Sequence, residues 1–146
     1  MSLKIKINNL NKKRRIEPKK IKKACSYLLR SFGKKNVLID MTFVGDGAIK
    51  RLNKKYMRRD RPTDVLSFRL DPAGRAGNGL IGDIYISSDT AYANSRRFGT
   101  PYGREIILYA VHGLLHLIGF GDKTKSEKNK IRMLESKFLK ILAGGK

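Results

Sequence analysis

The chain has 146 residues, 40% of them hydrophobic and 31% charged, a balance that favours one folded domain over residues 1–146 rather than a disordered tail. Its 33 Lys and Arg face 12 Asp and Glu, a formal net charge of +21, so a polyanion such as nucleic acid is the expected partner. A single cysteine excludes an internal disulfide, no apolar run approaches the roughly 18 residues that cross a bilayer, and the Lys-rich start lacks a signal-peptide core. A cytoplasmic protein without a membrane partner is expected.

Leu3-Lys4-Ile5-Lys6-Ile7 alternates apolar and basic residues and predicts a half-buried strand. Lys12-Lys13-Arg14-Arg15 follows, and residues 1–35 together carry thirteen Lys and Arg against Glu17. Pro18 suits a first helical turn, and Ile21, Ala24, Cys25, Leu28, Leu29 and Phe32 recur at helical spacing up to Gly33. Cys25 lies within that stripe and is expected to be an inert core residue. Val37 to Val44 reads as a central strand, and Asp46 is placed to cap a helix carrying Ile49, Leu52 and Tyr56.

A polar turn over residues 58–64 leads to a short strand, Val65 to Phe68. Residues 71–79 form a loop by composition, Leu80 to Ser87 a fourth strand, and Asp89 starts a short helix ending before Gly99. Thr100-Pro101 opens a longer helix through Ile118, stopped by Gly119. A last helix, from about Ser126, is expected to bury Ile131, Leu134, Phe138, Leu139, Ile141 and Leu142. The sum is an α+β fold, or α/β layer: a four-stranded, mostly parallel sheet packed by about five helices.

The chain's two histidines, His112 and His116, stand four apart on the longer helix. That spacing puts both imidazoles on one face, as a chelating pair requires. Gly113 between them costs a helix roughly 1 kcal/mol relative to Ala, which either a close ligand or helix packing would explain. Gly119 and Gly121 allow positive φ, so the chain can reverse and carry Asp122 back towards the histidines. Two imidazoles and one carboxylate leave a coordination position open, as in catalytic zinc sites. One divalent metal, with zinc favoured, is therefore expected at the end of a central helix.

The run His112-Gly-Leu-Leu-His116-Leu-Ile-Gly-Phe-Gly-Asp122 resembles the signature of the YbeY endoribonuclease family, bacterial ribosomal-RNA maturation factors. So do the stretch from Asn53 through Tyr56, Asp60 and Pro62 to Phe68, and Gly82-Asp83-Ile84, in the same order and spacing. The resemblance implies metal-dependent cleavage of single-stranded RNA in ribosomal RNA processing, with ribosomal RNA and the small ribosomal subunit as partners. It also implies that the third ligand is usually His, where this chain has Asp122. That carboxylate should hold a cation more tightly while making it a weaker Lewis acid. The family usually has Arg directly after the motif tyrosine; here Met57 takes that place and Arg58 follows, rotated by about 100° if the helix continues. Arg58, or Arg59 beside it, is the candidate to substitute for that arginine, with Arg58 placed first.

Metal-assisted phosphodiester hydrolysis is the expected chemistry, with Lys54, Lys55, Arg58, Arg59 and Arg61 holding the RNA backbone. Thr63, Asp64 and Ser67 would shape the cleft, or cap and fix the turn before the strand. Two other readings compete. A non-catalytic, basic RNA-binding assembly factor could use the metal structurally, whereas a zincin-like metalloprotease would need Glu where Gly113 stands.

Overall fold

The computed structural model describes residues 2–71 and 79–144. The elements run β1 (Ser2–Asn9), α1 (Pro18–Ser31), β2 (Asn36–Val44), α2 (Asp46–Met57), β3 (Val65–Arg69), β4 (Gly79–Ser87), α3 (Ser88–Phe98), α4 (Tyr102–Ile118) and α5 (Lys125–Gly144). The sheet order is β1-β2-β4-β3. β2 pairs parallel with β1 and β4, while β3 lies antiparallel to β4 at the edge. This is the α+β fold, with a mostly parallel four-stranded sheet and five helices, that the sequence predicts.

Alternation decides which face is covered. In β2, Val37, Ile39, Met41 and Phe43 are buried, and the intervening Leu38 and Asp40 are exposed. Gly82, Ile84 and Ile86 of β4 share the covered face, and α4 packs on it. This helix is buried on most of its circumference, from Glu105 and Ile106 to Leu117 and Ile118, as expected of a helix at the centre of a fold rather than on its surface. α1 and α5 close over it through ring contacts of Phe32 with Phe120 and Phe138. A smaller apolar cluster, Val44, Ile49 and Leu66 with Leu52, Phe68 and Tyr85, joins α2 to the opposite face.

Several local expectations need correction. Asp46 does not cap α2. Gly45 occupies the cap position, and the Asp46 carboxylate instead accepts hydrogen bonds from Ser87 Oγ (2.6 Å) and Thr90 Oγ1 (2.7 Å), tying α2 to the start of α3. Ser87 caps α3 by accepting from the Thr90 amide. Asp89 is turned towards Asn11, Arg14 and the Asp46 amide. Ile141, expected to be buried, is exposed near the end of α5, and Leu142 is half-buried. The loop expected at 71–79 lies outside the described residues except for Asp71 and Gly79, and Gly79 already belongs to β4.

Candidate metal centre

Helical geometry brings the two imidazoles together. The ring centroids of His112 and His116 are 4.5 Å apart, and their Nε2 atoms face each other at 3.0 Å. Gly113 is explained by packing: a Cβ there would lie 2.9 Å from Ile84 Cγ2 and 3.1 Å from both Ser67 Oγ and Val65 Cγ1. Gly82 permits the same close approach from the strand side, where a Cβ would meet Leu117 at 2.8 Å. Two glycines thus let α4 lie directly on β3 and β4. Ser67 Oγ then donates to the Gly113 carbonyl at 3.0 Å, and Arg69 Nη1 donates to the Leu117 carbonyl at 3.1 Å.

The chain reverses after α4. Gly119 takes a φ of +127°, a region that side chains rarely adopt. Gly121 does not need positive φ, contrary to expectation. A Cβ there would lie 2.6 Å from Glu127 Oε2, so that carboxylate would have to shift. Glu127 belongs to a capping box at the start of α5: its carboxylate accepts from the Thr124 amide, and Thr124 Oγ1 accepts from the Glu127 amide, both at 3.0 Å. The reversal is therefore held from both ends.

Between those anchors Asp122 turns back. Its Oδ2 lies 3.5 Å from His116 Nε2, and one ligand atom from each of His112, His116 and Asp122 falls within 4.8 Å of the others. In a tetrahedral zinc site with bonds of about 2.0–2.1 Å, ligand atoms are roughly 3.3 Å apart. The two separations from His116, 3.0 and 3.5 Å, bracket that value, and with all three atoms within 4.8 Å of one another these residues could hold a single divalent ion. Asp122 keeps 52% of its side chain exposed while the histidines are half-buried. The centre therefore opens towards solvent on the carboxylate side.

Sequence reasoning missed one residue. Glu135, on α5, has its Oε2 2.5 Å from His112 Nδ1, and only 13% of its side chain is exposed. The available signal was a glutamate flanked by Ile131, Leu134 and Phe138, an acidic group in an otherwise apolar seam. Electrostatics separate the two imidazoles. Burial depresses the basicity of His112, but the Glu135 hydrogen bond and charge, aided by Asp64 and Asp122, outweigh it and raise the pKa. For His116, burial and then the neighbouring His112 prevail over the pull of Asp122, and the pKa falls.

The basic turn is built differently. Lys54, Lys55, Arg58, Arg59 and Arg61 are all exposed. Among the described residues no hydrogen bond or ion pair links any of them to the two histidines or Asp122. Arg58 ends α2 in a left-handed conformation (φ 57°, ψ 33°), with its amide on the Lys54 carbonyl. The left-handed cap stops the helix directly after Met57, the position where the sequence departs from the pattern it resembles. Asn53 holds the turn by donating to the Arg61 carbonyl at 2.9 Å. Asp64 accepts from its neighbours, the Val65 amide and Thr63 Oγ1, and its charge reaches His112. Thr63 and Asp64 thus fix the turn, while Ser67 reaches α4 beneath the histidines.

Comparison with known proteins agrees with this architecture. A family model described as Endoribonuclease YbeY matches residues 6–143. The Endoribonuclease YbeY of Aquifex aeolicus is 38% identical over 135 residues, covering 90% of this chain and 88% of that protein. That of Chloroherpeton thalassium is 32% identical over 130 residues, covering 89% of each. A Thermotoga maritima protein solved in solution superposes with a TM-score of 0.64 at 26% identity, covering 97% of this chain and 90% of that one. With that family model spanning residues 6–143 and relatives above 30% identity matched over most of their length, the chain belongs to the YbeY endoribonuclease family.

Proposed function

We propose that this chain is a metal-dependent endoribonuclease that cuts single-stranded RNA during ribosomal RNA maturation in the cytoplasm, with the small ribosomal subunit as its setting. The observation that carries the reading is the convergence of two imidazole nitrogens and a carboxylate oxygen within 4.8 Å on a chain of net charge +21. Zinc, the ion best suited to two imidazoles and a carboxylate, would supply Lewis acidity and acidify a water towards a pKa of about 7. His112 and His116 would hold the ion from the buried side, and Asp122 would close the set from the solvent side.

Lys54, Lys55, Arg58, Arg59 and Arg61 bind phosphate groups along the strand, and Arg58 offsets charge on the reacting phosphodiester. Thr63, Asp64 and Ser67 set the wall of the cleft beneath them. Peptide hydrolysis is disfavoured, because the position after His112 is a glycine pressed on the sheet and offers no carboxylate as general base.

The test is elemental analysis of the purified protein beside an RNA digestion gel, run in chelator and again with zinc restored. Structured and unstructured RNA serve as substrates. Bound metal and zinc-restored cleavage of the unstructured RNA are expected. Cleavage that persists in chelator overturns the mechanism. Tight, salt-sensitive RNA binding with no turnover under any divalent metal leaves an assembly factor with a structural ion.

A further inference from the structure

The geometry points to Glu135 as the positioning residue of the centre: its carboxylate fixes the tautomer and ring orientation of His112, so that Nε2 is delivered to the metal. The inference builds on the reading of His112, His116 and Asp122 as metal ligands, and adds a fourth residue from another helix.

The contact is specific. Glu135 Oε2 lies 2.5 Å from His112 Nδ1 across 23 residues of sequence. An ionised carboxylate only accepts hydrogen bonds, so Nδ1 carries the hydrogen and Nε2 keeps its lone pair. That same Nε2 is the atom facing His116 Nε2 at 3.0 Å. Without a partner, an imidazole divides itself between two tautomers and rotates about its side-chain bonds. With Nδ1 tethered, the ring is held with its ligating atom inward.

The surroundings argue that the carboxylate is placed rather than incidental. Ile131, Leu134 and Phe138 on the same helix are buried, so an acidic side chain with 13% exposure in this seam is desolvated and needs a partner. Among the described residues, His112 is the hydrogen-bonding partner it meets. The start of α5 is pinned by the Thr124–Glu127 capping box, which begins two residues after Asp122. One helix thus supports the centre twice: its start holds the reversal that carries Asp122, and its middle holds the ring of His112. Metal-ligating histidines commonly use such a carboxylate, and losing it typically weakens metal binding 10–100-fold.

The test measures zinc affinity by competition with a chromophoric chelator, and the His112 tautomer by nitrogen-15 NMR of the metal-free protein. Both are read for the parent, Glu135→Ala and Glu135→Gln, with circular dichroism as a check on folding. Glu135→Ala is expected to weaken zinc binding 10–100-fold and to populate the other tautomer. Glu135→Gln keeps an acceptor oxygen and the side-chain volume, and is expected to retain the Nδ1–H tautomer and most of the affinity. Should Glu135→Ala not fold, the Gln variant with the tautomer signal still decides.

Zinc affinity within twofold of the parent and an unchanged tautomer in Glu135→Ala would overturn the proposal. So would a Gln variant that keeps the tautomer yet loses as much affinity as Ala, since charge rather than orientation would then be responsible. A parent that binds no zinc instead refutes the metal-centre reading, and the tautomer signal separately reports whether Glu135 holds the ring.

Discussion

The metal corner and the basic turn lie on opposite sides of one design choice. His112, His116 and Glu135 sit on packed helices, half-buried or buried, and are linked by short hydrogen bonds. Lys54, Lys55, Arg58, Arg59 and Arg61 sit on a helix end and a turn, exposed, and held by backbone contacts such as Asn53 to Arg61. Binding an ion needs ligand atoms placed to a few tenths of an ångström, which rigid elements supply. Neutralising a polyphosphate needs density of charge more than fixed geometry, and exposed, mobile side chains provide it. The two regions should therefore respond differently to mutation.

The largest effect is expected at a ligand. His116→Ala should weaken zinc binding beyond the ~100-fold upper range of a supporting residue, read by elemental analysis, while leaving RNA affinity in chelator nearly unchanged. If RNA affinity falls in parallel, the two regions are not separable. Gly113→Ala comes next. The helix gains about 1 kcal/mol of propensity, but the new methyl must displace Ile84, Ser67 and Val65. A net loss of about 1–2 kcal/mol in denaturant unfolding is expected, together with weaker zinc binding as α4 lifts from the sheet.

The tie between β3 and α4 is sensitive to acid. Arg69 donates to both carboxylate oxygens of Asp71 and to the Leu117 carbonyl. The Arg69 hydrogen bonds hold the Asp71 carboxyl down to about 2, below the ordinary 3.8. A lowered folded-state value means that the stabilisation is complete above about pH 4 and is lost as pH falls from there towards 2. Asp71→Asn should flatten that part of the stability profile measured by thermal melting. The smallest effect belongs to the turn. Arg58→Gly relieves a left-handed side chain and should stabilise the fold by roughly 0.5–1 kcal/mol. If Arg58 contacts a phosphate, the same variant reduces the salt slope of RNA binding by about 1. An unchanged slope would remove Arg58 from the interface.

Much of this was legible before any coordinates. The stripe of Ile21, Ala24, Cys25, Leu28 and Leu29 is buried as its spacing predicts, the alternation in β1 predicts its faces, and the apolar run of β2 predicts its central place in the sheet. The histidine pair follows from the i, i+4 spacing alone, and the folding back of Asp122 from the reversal after Gly119. The misreadings share a cause. The spacing gives Asp46 and Gly121 local roles, as cap and positive-φ residue, whereas Asp46 binds Ser87 and Thr90 and Gly121 lies against Glu127. A polar residue near a helix start has several hydrogen-bonding choices, and the winner depends on which other element is packed beside it.

The order of strands and helices, the covered face of each and the alignment of two imidazoles were set by residue periodicity, a property of nearest neighbours along the chain. The crossing of α5 over α4, and hence the meeting of Glu135 with His112, was set only in three dimensions, because no spacing rule relates side chains 23 residues apart on different helices. The same holds for Gly113, whose missing side chain has meaning only against the strand that fills its place.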